Sequence, residues 1–171
     1  MTEMSREFSC SPQEVFDVLD DGWLYASWVV GASRIRGVDA GWPAVGTKIH
    51  HSVGTWPMLI DDISVVKAYD PPRMLTLQVR AWPAGEAQVV VKVAATSKGC
   101  RVTMSEDATA GPGKLIPGPV RHGLIGWRNR EALRRLQLLS EGRKHNAEQN
   151  ADIAVPHLPG APKQTAEEGS T

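Results

Sequence analysis

The side chains in this chain that are best suited to chemistry are ionisable residues on otherwise apolar faces. His51 alternates with Ile49 and Val53 along one predicted strand, so its imidazole is expected to point inward. There it could donate a hydrogen bond to a ligand oxygen or take a proton from it. The simpler alternative is a histidine whose hydrogen bonds only support the fold. A metal pair with His50 is not expected, because neighbouring residues of a strand face opposite ways.

Two carboxylates, Asp61 and Glu106, also fall on predicted interior positions. Asp61 alternates with Leu59 and Ile63, and Glu106 lies on the apolar face of the last strand. A carboxylate in an apolar cavity must find a partner or keep its proton, which is how general acids and bases arise. His51, Asp61 and Glu106 are therefore the candidate catalytic residues. The alternative for both carboxylates is a place at the end of the sheet, in contact with water.

Arg128 and Glu131 lie on the face of a long C-terminal helix that is predicted to meet the sheet. They could pair with each other at i, i+3, or Arg128 could hold a ligand carboxylate. The chain has 6 Trp against 2 Phe and 2 Tyr, and tryptophan suits cavity walls, although ordinary core packing is the alternative. The predicted ligand-binding set is Tyr25, Trp28, His51, Trp56, Asp61, Val79, Val91, Met104, Leu124, Trp127, Arg128 and Glu131.

The elements that must position these residues are strands between two helical regions. A first strand at 3–10 leads into a helix start at 11–14, where the order Ser-Pro-Gln-Glu matches a capping box. A second short helix is predicted at 23–30, and a long amphipathic helix at 116–142. Because neither that helix nor a one-sided sheet can bury its own apolar face, the helix should close the sheet and leave a gap for a small apolar ligand. Six further strands are predicted at 32–38, 46–53, 58–69, 74–82, 86–97 and 100–108.

Composition excludes several classes of protein. Lys+Arg and Asp+Glu are 19 each, which argues against non-specific nucleic-acid binding. Cys10 and Cys100 form no metal pattern or disulfide framework, and they are predicted to be small buried residues. The chain lacks a run of about 18 apolar residues, so stable membrane insertion is not expected. No secretory segment is visible, so a cytoplasmic location is expected. The protein is expected to be a monomer or a homodimer. No metal or other cofactor is expected: the segment GPGK at 111–114 is not a phosphate-binding loop, and it is predicted to be a gate or a plain linker.

The order of strand, two short helices, six strands and one long helix resembles the helix-grip fold of the SRPBCC, or START-like, superfamily. The opening SPQEVFDVL is similar to the start of the first helix in that superfamily. The segments GWPAVGTKIHHSVGTWP, YDPPRMLTL, KGCRVTMSED and WRNREALRRL are similar to bacterial members of the polyketide cyclase/dehydrase and lipid-transport type. The resemblance implies an α+β fold in which a curved antiparallel sheet of about seven strands wraps around the C-terminal helix. It covers residues 1–143, and residues 144–171 are predicted to be a disordered tail.

The resemblance also implies a ligand cavity between the sheet and the C-terminal helix. The function predicted first is binding or transport of a small hydrophobic molecule, such as a lipid, a polyketide or an aromatic metabolite. The second is an enzyme of the aromatase/cyclase type, in which cavity residues position and protonate a poly-keto chain. The third is a regulatory interaction protein that carries out no small-molecule reaction. The superfamily includes all these kinds of protein, so the fold alone does not choose between them.

Overall fold

One antiparallel sheet of seven strands, with a long helix lying on it, makes up most of the fold in a computed structural model that describes residues 2–81, 85–110 and 118–153. The predicted helix-grip architecture is therefore confirmed within those ranges. The segment at 111–114, Trp82 and the residues from 154 onward lie outside the described residues. In chain order the elements are β1 (Thr2–Phe8), α1 (Pro12–Leu19), a 3-10 helix (Gly22–Leu24), α2 (Tyr25–Trp28), β2 (Ala32–Val38), β3 (Lys48–Thr55), β4 (Met58–Asp70), β5 (Met74–Ala81), β6 (Gly85–Thr96), β7 (Gly99–Ala110) and α3 (Gly118–Ile153).

Helix α1 begins at the capping box that the sequence predicts. The Ser11 hydroxyl accepts a hydrogen bond from the Glu14 amide at 3.3 Å, and the Glu14 carboxylate accepts one from the Ser11 amide at 2.7 Å. These reciprocal bonds satisfy backbone donors that a helix start otherwise leaves unpaired. The apolar stripe of α1 is buried against the rest of the core, with Phe16 fully inaccessible to solvent.

The strands lie in the order β1-β7-β6-β5-β4-β3-β2, and every neighbouring pair is antiparallel. Strands β2 to β7 therefore follow one another as a meander, and β1 joins the far edge by pairing with β7. Strict alternation buries Leu75 and Leu77 of β5 and Val89 and Val91 of β6 on one shared face, as predicted. This inner face is the surface on which α3 lies.

Helix α3 is buried near its middle, whereas two large apolar residues nearer its start are open to solvent. Ala132, Leu133 and Leu136 are buried, whereas Leu124 and Trp127 are mostly exposed. The helix continues to Ile153, beyond its predicted end at 142, so the first residues of the predicted tail are helical. No helix in the described ranges is long and apolar enough to cross a membrane.

The second half of α3 is anchored to the N-terminal elements by polar contacts. Arg143 donates to the Asp17 carbonyl and to the Asp21 carboxylate, both at 2.9 Å. Lys144 donates to the Ser9 carbonyl at 3.1 Å. These bonds connect the C-terminal part of α3 to α1 and to the end of β1. They therefore fix the distance between this part of the helix and the sheet.

Cys10 and Cys100 meet in the core although they are far apart in sequence. The pairing of β1 with β7 places Phe8 opposite Cys100, and Cys10 follows two residues later. Both thiols are free and fully buried, which confirms the prediction of small buried residues. A hydrogen bond between the two thiols raises the pKa of Cys10 and lowers that of Cys100.

Two glycine-to-alanine substitutions should change stability in opposite directions. Gly99 has φ +143°, and a Cβ there would lie 2.2 Å from the Phe8 carbonyl oxygen, so Gly99→Ala should cost about 1–3 kcal/mol. Gly142 lies in the exposed part of α3 with open space around it, so Gly142→Ala should stabilise the protein by about 0.5–1 kcal/mol. Urea denaturation of both variants measures the two changes. A loss of stability in Gly142→Ala as large as that in Gly99→Ala would contradict the packing described here.

Candidate functional site

A cavity of about 360 Å³ lies between the inner face of the sheet and the first half of α3. Its walls come from α2, the segment after it at 29–32, strands β3, β5, β6 and β7, and α3. Helix α3 is anchored through its C-terminal part. Its N-terminal part covers the concave face of the sheet but does not fill the space above it. The wall contains the candidate catalytic residue Glu106 and eight residues of the predicted ligand-binding set: Tyr25, Trp28, His51, Val79, Met104, Leu124, Trp127 and Arg128.

One polar cluster joins α2, β3 and β4 at the inner end of the cavity. The Tyr25 hydroxyl lies 2.7 Å from the Ser64 hydroxyl, which lies 3.1 Å from Nε2 of His51. The Tyr25 ring also contacts the imidazole in a tilted arrangement, with ring centroids 5.2 Å apart, and meets Trp28 edge-on at 5.5 Å. The cluster holds the His51 ring in place and leaves its Nδ1 buried without a hydrogen-bond partner in the described structure.

Burial sets the protonation of this cluster. It lowers the pKa of His51 below its usual value of 6.5, although the nearby Asp62 carboxylate opposes the shift. It also raises the pKa of Tyr25 to about 12, against the smaller opposing effect of the hydrogen bond between Tyr25 and Ser64. At neutral pH the cavity therefore holds a neutral imidazole and a neutral phenol, which act through hydrogen bonds and not through charge.

A second polar cluster joins β7 to α3. Arg128 forms an ion pair with the carboxylate of Glu106, whose side chain is only 4% exposed. Asn129, which follows Arg128 in α3, is 2% exposed and also lines the cavity. Oε2 of Glu106 and Nδ2 of Asn129 are buried, and neither has a hydrogen-bond partner among the described residues. Since buried polar atoms are normally paired, these two atoms are available to a bound molecule.

The prediction that Asp61 faces the interior is wrong. Its side chain is 59% exposed, accepts a hydrogen bond from Ser52 at 2.8 Å and pairs with Arg36 at 3.2 Å on the outside of the sheet. The register of β4 against β3 explains the reversal, since Asp62 is the residue opposite His51 and cross-strand partners share a face. Asp62 is accordingly the buried carboxylate of this strand.

Three other predicted wall residues lie elsewhere. Trp56 is 86% exposed at the turn between β3 and β4, because the hairpin extends beyond the edge of the cavity. Val91 is fully buried, but it packs in the core and does not reach the cavity wall. Glu131 does not pair with Arg128; it pairs with Arg135 at 2.9 Å on the side of α3 away from the cavity wall.

The polar residues that sequence reasoning missed are Ser64, Asp62 and Asn129. Ser64 and Asp62 share a face with Val66, but that face was not recognised because the opposite face of β4 also carries apolar residues. Asn129 had a usable signal, since it precedes Leu133 by four residues and Leu136 by seven and thus shares the buried side of α3. In the described ranges no group of three His, Cys, Asp or Glu side chains converges in a way that suits a metal ion.

The rim of the cavity combines apolar and paired charged side chains. Leu124 and Trp127 of α3 are 60% and 65% exposed, so each covers the opening with one face and meets solvent with the other. Across the opening, Arg80 of β5 pairs with Glu86 of β6 at 3.2 Å. An apolar body could enter between these residues and reach the polar atoms of His51 and Glu106 inside.

Solved structures with this fold come from proteins of diverse kinds. Protein NE0264 from Nitrosomonas europaea matches with a TM-score of 0.64 and 18% identity over 84% of this chain and 95% of its own. The di-domain ARO/CYC protein StfQ of the steffimycin biosynthetic pathway matches with a TM-score of 0.65 and 13% identity, over 84% of this chain and 51% of its own. Ara h 8.0201 matches with a TM-score of 0.64 and 12% identity over 82% of this chain and 96% of its own. At these identities the matches show the fold alone.

No curated protein matches the chain in sequence. A family model does match, over residues 2–141, and its description is polyketide cyclase / dehydrase and lipid transport. The match includes β1 to β7 and the part of α3 that covers the cavity and packs in the core. The chain therefore belongs to the polyketide cyclase/dehydrase and lipid-transport family.

Proposed function

We propose that this protein binds a small apolar molecule in the cavity under α3 and carries it in solution. The observation that supports this most is a cavity of about 360 Å³ whose wall is mostly aliphatic and aromatic and contains three unpartnered polar atoms. That volume lies at the low end of the range of about 300–1,000 Å³ for ligand pockets. A molecule of a few fused rings or one short chain suits this space, whereas a lipid with two long chains does not.

The arrangement of the wall supports binding of a ligand in one orientation. Leu77, Val79 and Val89 of the sheet form an apolar floor, and Trp28 closes the end near α2. The unpartnered atoms of His51, Glu106 and Asn129 are buried. The polar end of a ligand would therefore be inside and its apolar body would face the rim. Burying about 200 Å² of ligand apolar surface would contribute about 5 kcal/mol before the costs of association.

A cyclase reaction is the second candidate function, and the cluster of His51, Ser64 and Tyr25 favours it. The unpartnered Nδ1 of a neutral imidazole is able to accept a proton from the carbon between two ketone groups. The similarity of fold to StfQ, an ARO/CYC protein, fits this chemistry. Aldol cyclisation of a poly-β-ketone probe forms a ring without change of mass, and the dehydration that follows releases one water, so mass spectrometry would detect the dehydrated product. His51→Gln should abolish that product with little loss of probe affinity if the reaction occurs here.

Filling the cavity should remove ligand binding without unfolding the protein. Val79→Phe adds a ring to the cavity wall, so it should weaken binding of the neutral fluorescent probe N-phenyl-1-naphthylamine by about 1–3 kcal/mol, which is about five- to 150-fold. Fluorescence titration measures the affinity. Val90→Phe is the matched control, because it adds the same volume to the neighbouring strand but outside the cavity wall. Saturable 1:1 binding that survives in Val79→Phe would contradict the proposed site.

The neutral state of His51 predicts a pH dependence of stability. The unfolded chain takes up a proton near the ordinary histidine pKa of about 6.5, whereas the buried ring takes it up only at lower pH. The free energy of unfolding should therefore fall as the pH drops below about 6.5 and continue falling until the buried ring protonates. Urea denaturation of the wild type and of His51→Gln, at several pH values between about 7 and 5, tests this. The substitution should flatten the slope.

The control for that measurement is His145→Gln, since this ring is exposed on α3. It should leave the pH slope as in the wild type. An unchanged slope in His51→Gln would show that the ring takes up its proton equally readily in the folded and unfolded states, which contradicts a buried neutral imidazole.

A further inference from the structure

We propose that the cavity selects a neutral ligand whose buried end carries a hydroxyl group, and that it discriminates against a carboxylate on the same skeleton. The inference rests on the proposed function, because it names the chemical class that the same cavity binds. Three observations carry it: the charges of the wall are already paired, the unpartnered atoms include both donor and acceptor types, and the histidine of the wall is neutral.

The ionised side chains of the described cavity wall have partners of opposite charge. Arg128 pairs with Glu106, and Arg80 pairs with Glu86 at 3.2 Å. Burial keeps the His51 imidazole neutral at neutral pH by lowering its pKa. The wall therefore offers no uncompensated positive charge to an anion. A ligand carboxylate would have to leave water and displace Glu106 from Arg128, leaving a buried carboxylate unpaired.

The unpartnered atoms of Glu106 and Asn129 match a hydroxyl group better than any other single group. Oε2 of Glu106 is an acceptor, Nδ2 of Asn129 is a donor, and Nδ1 of His51 is either one, depending on the tautomer. The three residues are 4%, 2% and 3% exposed, so water from bulk solvent does not reach them freely. A hydroxyl donates one hydrogen bond and accepts another, and it therefore satisfies an acceptor and a donor without bringing in charge. A carboxylate can accept from Asn129, but it is repelled by Glu106.

The position of these atoms places the hydroxyl deep in the cavity. Asn129 follows Arg128 in α3, so its amide lies on the helical turn that holds Glu106 through the ion pair. His51 is on β3, across the sheet from Glu106 on β7. The polar end of the ligand is thus held between the sheet and α3, and the apolar remainder extends towards Leu124 and Trp127 at the rim.

Three probes on one skeleton test the inference on the wild-type protein. Naphthalene, 2-naphthol and 2-naphthoate share the same two rings, and equilibrium dialysis at neutral pH measures all three. We expect 2-naphthol to bind about three- to tenfold more tightly than naphthalene, the range that one or two buried hydrogen bonds provide. We expect 2-naphthoate to bind more weakly than naphthalene. Equal binding of naphthol and naphthalene, or tightest binding of naphthoate, would overturn the inference while leaving apolar binding in place.

Failure of all three probes, together with failure of N-phenyl-1-naphthylamine, removes the proposed function and this inference with it. The two failures are therefore distinguishable, because the uncharged apolar probes report on the cavity and the ratio between probes reports on its polar end.

The variant Glu106→Gln should reverse the preference. It keeps the shape of the side chain but frees the Arg128 guanidinium from its counter-ion, so 2-naphthoate should gain about tenfold or more and become the tightest of the three. Asp107→Asn is the matched control, since it removes the same charge from the next residue of β7, on the exposed face. An unchanged ranking in folded Glu106→Gln overturns the inference. Circular dichroism establishes folding, and the wild-type ranking remains decisive if the variant does not fold.

Discussion

The position of α3 depends on contacts that its second half makes with the N-terminal elements. Leu133 and Leu136 are buried near the middle of the helix, and beyond them Arg143 and Lys144 bond to α1 and to the end of β1. A sheet that twists and curves cannot stay parallel to a straight helix over its whole length. Close packing at one end therefore means separation at the other. The cavity is the space that this geometry leaves, and its depth follows from how firmly the second half of the helix is held.

The buried ion pair between Glu106 and Arg128 is the main electrostatic feature of that space. Burying a carboxylate until it is only 4% exposed costs, in order of magnitude, several kcal/mol because the group loses its hydration. The attraction to Arg128 offsets only part of this cost. Such a pair is seldom an efficient way to stabilise a fold. It does join β7 to the less firmly held half of α3, and it neutralises the interior. Specificity for ligand charge is thus set by the same contact that closes the sheet against the helix.

Much of this fold was predictable from local patterns, and the misses have specific physical causes. Strict alternation with one apolar parity predicted the inner faces of β5, β6 and β7, and with them Val79, Met104 and Glu106. Strand β4 carries apolar residues on both parities, so only its pairing with β3 decides that Asp62 is buried and Asp61 is exposed. That pairing is a long-range property, and no single strand contains it.

Prediction of the buried side of α3 from the sequence has a similar limit. Its apolar arc is broad, so its edges are poorly defined, and Glu131 was assigned to the buried side in place of Asn129, two residues earlier. Tryptophan content was a good guide to the wall at Trp28 and Trp127. It failed at Trp56, because the length of a hairpin beyond the sheet edge is not encoded in the residue type.

The uneven anchoring of α3 has a consequence for how the protein can change over generations. Residues that hold the domain together cluster around Leu133, Leu136 and Arg143, whereas residues that shape the opening, such as Leu124 and Trp127, bury little surface in the core. Substitutions at the opening should therefore change the free energy of unfolding by only about 0.5 kcal/mol each. A lineage can exchange one small guest molecule for another there without first acquiring compensating mutations elsewhere. The residues that determine stability and the residues that determine which ligand is bound thus lie in separate parts of the same helix.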